Sequence, residues 1–228
     1  MKYIEQINSD IISKLSKGDF FIFGQNINTG SFLGGLTKSI TKLKNIKILN
    51  TPNCENTLVG MGLGLALKGK NALFICKQQD FLLLSLDQIV NTYNSMKLLG
   101  FSGSFTIFTI IVNSGYEGPQ SRLDNLFEFV SLSDVDSWNI STKAESKFVT
   151  NQFDKSGFRI CVVSQKDFRT EIYSNENKVE NYFSSKVFRY SYGKDLAIIC
   201  FNFSFLKIIK DLEKLERKNI SVFNIINF

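Results

Sequence analysis

Short apolar runs with almost no polar alternation recur along the chain, at positions 20–24, 72–76 and 106–112, and further strands are read at 46–50 and 159–163. A strand with one wet face alternates apolar and polar residues, so runs of this kind belong to strands covered on both faces. Stretches with helical spacing lie between them. Ile4, Ile7, Ile11, Ile12 and Leu15 share one face over positions 3–16, and helices are also predicted over 33–42, 55–68 and 81–98. Such alternation is the pattern of an α/β fold, a parallel sheet with helices on both faces. Positions 123–156 read as short helices among polar stretches, and 164–182 as polar loop, which places a boundary there. Beyond it, positions 196–201, 205–216 and 220–226 read as strand, helix and strand. One βαβ unit is too small to stand alone. The expected organisation is therefore a first domain over 1–170 and a smaller, partial unit over 183–228, docked on it or on a partner.

The sequence contains no histidine among its 228 residues. Ser-His-Asp and Cys-His devices are therefore excluded, as is any imidazole metal ligand, and acid–base work falls to Glu, Asp, Lys, Tyr, Cys, a cofactor or a partner. The four cysteines form no CxxC pair and read as free, mostly buried thiols. A net charge of +6 is spread along the chain. Its denser stretches, 38–47 and 207–218, alternate with apolar residues, which suits solvated helix faces better than a nucleic-acid surface. No run is long enough to span a membrane, and the amphipathic start lacks the form of a signal peptide, so a cytoplasmic location is expected.

The chemistry concentrates at positions 51–90. Pro52 ends a strand, Asn53 is placed to cap the next helix, and Glu55 falls in its first turn, where the helix dipole favours a carboxylate. Locally, Glu55 reads first as a stabiliser of that N-terminus. Gly60, Gly62 and Gly64 weaken the helix by about 1 kcal/mol each relative to alanine, and are expected to mark close approach of another backbone. Phe81 opens the next apolar segment.

Taken together, Thr51-Pro52, Glu55, the glycines from 60 to 69, Asp80-Phe81 and Asp87-Gln88-Ile89-Val90 resemble the pyrimidine-binding domain of thiamine-diphosphate enzymes. The likeness is greatest to the β subunit of 2-oxoacid dehydrogenase E1 components, with the transketolase family next. It implies that Glu55 hydrogen-bonds a nitrogen of the cofactor's aminopyrimidine and favours the tautomer that activates the cofactor. It implies that Phe81 stacks on the ring, with Asp80 and Gln79 beside it in the cofactor site. The segment from Gly115 to Pro119 resembles a transketolase loop, making Tyr116, Glu117 and Gln120 candidates for substrate contact. Gln120 stands where a family histidine follows, and Gln25 and Asn26 replace the acids of an early Gly-Glu-Asp. Positions 192–199 resemble the opening strand of the family's third domain.

No Gly-Asp-Gly diphosphate and magnesium motif occurs. The resemblance thus implies no metal ligand in this chain, with Mg2+ and the diphosphate held by an α-type subunit in an α2β2-like heteromer. The expected function is a β-type subunit of a split thiamine-diphosphate enzyme acting on a 2-oxo acid or ketose. An interaction-only paralogue that supports a partner's active site is the alternative.

Overall fold

Leu73 and Ile75 belong to one apolar cluster of the molecule, and their neighbours Ala72, Phe74 and Cys76 to another. Successive strand residues point to opposite faces, so this strand is covered on both sides. The computed structural model describes residues 1–113, 124, 126–174, 179–184, 186–214 and 219–227. Its larger sheet comprises β1 (Phe20–Gly24), β2 (Ile46–Asn50), β3 (Asn71–Cys76), β4 (Ser104–Ile111), β5 (Asp136–Ile140) and β6 (Gly157–Ser164). All its pairings are parallel, in the order β2-β1-β3-β4-β6-β5. Central β4 is buried along its whole length. α1 (Tyr3–Leu15) and α5 (Lys143–Thr150) pack together on one face, and α2 (Glu55–Leu67), α3 (Tyr93–Leu99) and α4 (Leu126–Ser133) contribute to the core of the other. The expected parallel α/β architecture is what the chain adopts.

A second sheet has the order β7-β8-β10-β9, from β7 (Glu180–Tyr182), β8 (Val187–Ser191), β9 (Leu196–Phe201) and β10 (Ile220–Ile225). β9 and β10 pair in parallel across α6 (Phe205–Lys214), as the βαβ reading expects, while β8 adds an antiparallel neighbour that it did not include. One core cluster runs through both sheets, and Phe148 of α5 meets Phe188 of β8 edge to face at 5.8 Å.

Three expectations of secondary structure are corrected. The helix expected over 33–42 is instead two 3₁₀ turns, Leu33–Gly35 and Ile40–Lys42. Phe32, Leu33, Gly34 and Ser39 have positive φ, which interrupts the helical hydrogen-bond ladder, and the Gly34-Gly35 pair makes that cheap. The helix expected over 81–98 opens as a 3₁₀ turn at Gln79–Ser85, widens into a π turn at Gln88–Thr92 and only then becomes α3. β5 lies where short helices and polar stretches were read, because its buried Ser137 and Asn139 break the apolar run that marks the other strands.

Within this chain, Gly60 and Gly62 of α2 admit side chains rather than another backbone. A Cβ on Gly62 would stand 2.2 Å from Cε2 and Cζ of Phe105, one on Gly60 would stand 3.3 Å from Oε1 of Gln88, and Gly64 faces open space. Phe105 is fully buried and stacked on Phe158 at 5.0 Å and on Phe23 at 6.4 Å, so its ring has little room to yield. Gly62→Ala is expected to lose about 1–3 kcal/mol in urea denaturation, overpacking outweighing the helix propensity gained. A variant as stable as wild type would show that the ring moves aside.

Candidate active site

At its carboxyl end β1 turns through Gly24, at φ +151°, where a Cβ would lie 2.2 Å from the carbonyl oxygen of Ile75 on β3. Only glycine permits that approach. The Gly24 carbonyl accepts from the Thr51 N–H at 3.0 Å, and Asn50 Oδ1 accepts from the Ile27 N–H at 3.1 Å, which ties the ends of β1 and β2 together. Pro52 follows, and α2 begins.

The first helical residue is Glu55, so the capping position falls on Cys54 and not on Asn53, and no side-chain cap forms. Glu55 is 5% exposed, and no hydrogen bond to its carboxylate exists among the described residues. It lies in a narrow crevice with Gln25, Asn53, Phe74, Cys76 and Lys77, too tight to admit a water molecule. The Oε1 of Gln25 is buried without a partner among the described residues. Burial pushes the Cys76 thiol up to about 12, so it is no nucleophile near neutrality.

Gln79, Asp80 and Phe81 sit in the 3₁₀ turn that packs on α2. Gln79 is fully buried and, among the described residues, neither atom of its amide has a partner; Asp80 Oδ2 is likewise buried and without a described partner. Desolvation raises the Asp80 carboxyl above its ordinary value. Phe81 is half-buried against the cluster that Cys54 and Met61 also join. Glu55 and Phe81 are therefore on adjoining elements, while Gln79, Asp80 and Phe81 stand outside the lining of the Glu55 crevice. Tyr116, Glu117 and Gln120 lie outside the described residues. Among the described residues no group of three His, Cys, Asp or Glu is placed to hold a metal ion, and no helix is long and apolar enough to cross a membrane.

Sequence reasoning missed the polar seam between the two sheets. Glu145, fully buried, accepts from the Ser141 and Thr142 N–H groups at 2.7 and 3.1 Å, from Tyr190 at 2.6 Å and from Asn224 at 2.8 Å. The Thr142-x-x-Glu145 capping box is the local signal that was there to be read.

The fold is that of a transketolase-type α/β chain. The structure overlays a split-gene transketolase, described as an inactive β4 tetramer, with a TM-score of 0.70 at 13% identity, over 96% of this chain and 69% of that one. In sequence, the chain is similar to β subunits of 2-oxoacid dehydrogenases. It is 32% identical over 102 residues to the chloroplastic pyruvate dehydrogenase E1 component subunit beta-3 of Arabidopsis thaliana, covering 42% of this chain and 25% of that one. It is 30% identical over 117 residues to the pyruvate dehydrogenase E1 subunit beta of Gracilaria tenuistipitata var. liui, covering 48% and 36%. It is 31% identical over 71 residues to the mitochondrial 2-oxoisovalerate dehydrogenase subunit beta 2 of Arabidopsis thaliana, covering 31% and 20%. The matches thus span well under half of each curated relative's length. No family model matches the chain. Fold and sequence together bear out the resemblance to the E1 β and transketolase family.

Proposed function

We propose that the chain is a β-type subunit of a split thiamine-diphosphate-dependent enzyme, acting on a 2-oxo acid or a ketose. The observation that carries this is Glu55: a nearly buried carboxylate with no hydrogen-bond partner among the described residues, at the carboxyl edge of a parallel sheet. Substrate and cofactor sites of open α/β sheets lie at that edge. When bound, the cofactor supplies an electron sink for chemistry at a carbonyl carbon.

The donor set suits the aminopyrimidine, but the Glu55 crevice is too narrow to enclose a ring. The ring would then lie against the outer side of Glu55, between this chain and an α-type subunit that holds the diphosphate and Mg2+ in an α2β2-like heteromer. Glu55 would hold the proton at the ring nitrogen, Phe81 would offer its face, and Asp80 and Gln79, with polar atoms unpartnered among the described residues, would adjoin them. Tyr116, Glu117 and Gln120 would contact substrate. The division at 170–183 into a pyrimidine-binding domain and a partial third domain is part of this reading.

The test is co-expression with an α-type chain carrying Gly-Asp-Gly, followed by calorimetric titration with thiamine diphosphate and magnesium. The pair should bind the cofactor and each chain alone should not. Phe81→Ala should weaken binding about tenfold, as expected for loss of one aromatic stack. Failure of the pair to bind would overturn the proposal. A second reading, an interaction-only paralogue, is favoured by Gln25, an amide at the Glu55 crevice where the family has an acid. Cofactor binding by the pair without turnover of any 2-oxo acid or ketose would select it.

A further inference from the structure

A second, larger cleft of about 600 Å3 opens at the same edge of the sheet and shares Lys77 with the Glu55 crevice. Its volume falls in the range of sites that take small organic ligands, roughly 300–1,000 Å3. Among the described residues, three cationic side chains line it, Lys77, Lys166 and Arg169, and no acidic one does. All three are exposed, and none makes an ion pair among the described residues. The nearest acid in sequence, Asp167, is outside the lining, and its charge acts on Tyr3. A cleft lined by charge of one sign focuses its field and concentrates counter-ions. The lining also includes the buried apolar residues Ile110, Val112 and Phe168, at most 9% exposed, beside the polar Asn26, Ser31, Gln78 and Gln165.

The walls are held in place. Asn113 Oδ1 accepts from the Lys166 N–H and from Ser164 Oγ, both at 3.0 Å, which fixes the turn carrying Lys166. The Thr170 carbonyl accepts from the Tyr3 N–H at 2.9 Å, and the Phe168 ring stacks on Tyr3 at 6.5 Å. Gly34, at φ +69°, brings its turn so close that a Cβ there would touch the Phe168 ring at 3.2 Å.

We propose that this cleft is a binding site for a small amphiphilic anion, its carboxylate or phosphate group held by Lys77, Lys166 and Arg169 and its apolar body laid on Ile110, Val112 and Phe168. The site is built from this chain alone and stands whether or not the cofactor reading does. The test uses the full chain, titrated calorimetrically in low salt with hexanoate, hexyl phosphate, acetate and the neutral hexanamide. Hexanoate or hexyl phosphate should bind with a Kd of about 1 mM or tighter, the tighter of the two naming the preferred head group, and hexanamide and acetate should each bind at least about tenfold more weakly. The double variant Lys166→Met/Arg169→Met should weaken hexanoate and hexyl phosphate about tenfold, as should raising the salt to about 0.2 M. Both residues are exposed, so an unchanged melting temperature will confirm that the variant is folded. Equal binding by wild type and variant, equal binding of hexanoate and hexanamide, or no binding of either amphiphile would overturn the proposal. Acetate binding as tightly as hexanoate would overturn its apolar half.

Discussion

Glu55→Gln is expected to lower kcat of the reconstituted pair by about 10²–10⁴ while changing the cofactor Kd less than about tenfold. The amide keeps the shape of the carboxyl and can still hydrogen-bond a ring nitrogen, but it cannot exchange a proton, and positioned acid–base groups contribute about that factor. The same variant separates the two roles open to Glu55. A residue that only stabilises the start of α2 contributes through the helix dipole, so losing its charge should cost about 0.3–1 kcal/mol and leave turnover alone. Glu55 is 5% exposed and its carboxylate makes no hydrogen bond among the described residues, so the amide strands no described donor and the variant should melt close to the wild-type temperature. Steady-state kinetics, cofactor titration and thermal unfolding of the two proteins decide the matter. Turnover within threefold of wild type, with a lowered melting temperature, would leave Glu55 only as a stabiliser of the start of α2.

The sheet was legible because its strands carry the signal in their own composition. β3 and β4 are apolar on both faces, and only a doubly covered strand needs that. Where an element is shaped by its neighbours, the sequence carried less. Phe32 and Ser39 adopt positive φ that nothing in those residue types announces. β5 keeps Ser137 and Asn139 in the interior, so its composition imitates a loop. The candidate site was legible in part, since the motif around Glu55 and Phe81 is local. The cleft of Lys77, Lys166 and Arg169 was not: its cations come from turns after β3 and β6, and only the parallel order of the sheet makes them neighbours. The seam at Glu145 joins residues 79 positions apart, and periodicity cannot reveal a pairing at that distance.

That seam carries the largest expected effect on stability. Glu145 accepts from two backbone N–H groups, the Tyr190 hydroxyl and the Asn224 amide. Glu145→Ala strands the Ser141 and Thr142 N–H groups and the Asn224 amide in the interior, while Tyr190 can turn to Thr142 Oγ1; at about 1–3 kcal/mol for each unsatisfied buried group the loss is about 3–9 kcal/mol, a large part of the stability of an ordinary domain. Glu145→Gln keeps an acceptor for the backbone groups but turns an N–H toward Tyr190 or Asn224, for an expected loss of about 1–3 kcal/mol. Desolvation raises the Glu145 carboxyl above its ordinary value, against the pull of its donors. Protonation is accommodated within the network: a Glu145 O–H can donate to Tyr190, whose own proton then turns to Thr142 Oγ1 at 2.7 Å. A carboxyl whose folded pKa is raised contributes stability that is fully present below the unfolded value, near 4.3, and is lost as pH rises through the folded pKa. Wild type should therefore lose stability as pH climbs from that value, whereas Glu145→Gln, with nothing to titrate at this position, should not lose that component. The melting-temperature gap between the two proteins should narrow from pH 4.5 towards pH 8. A gap that widened over that range would mean that the four donors, and not burial, set the charge of Glu145.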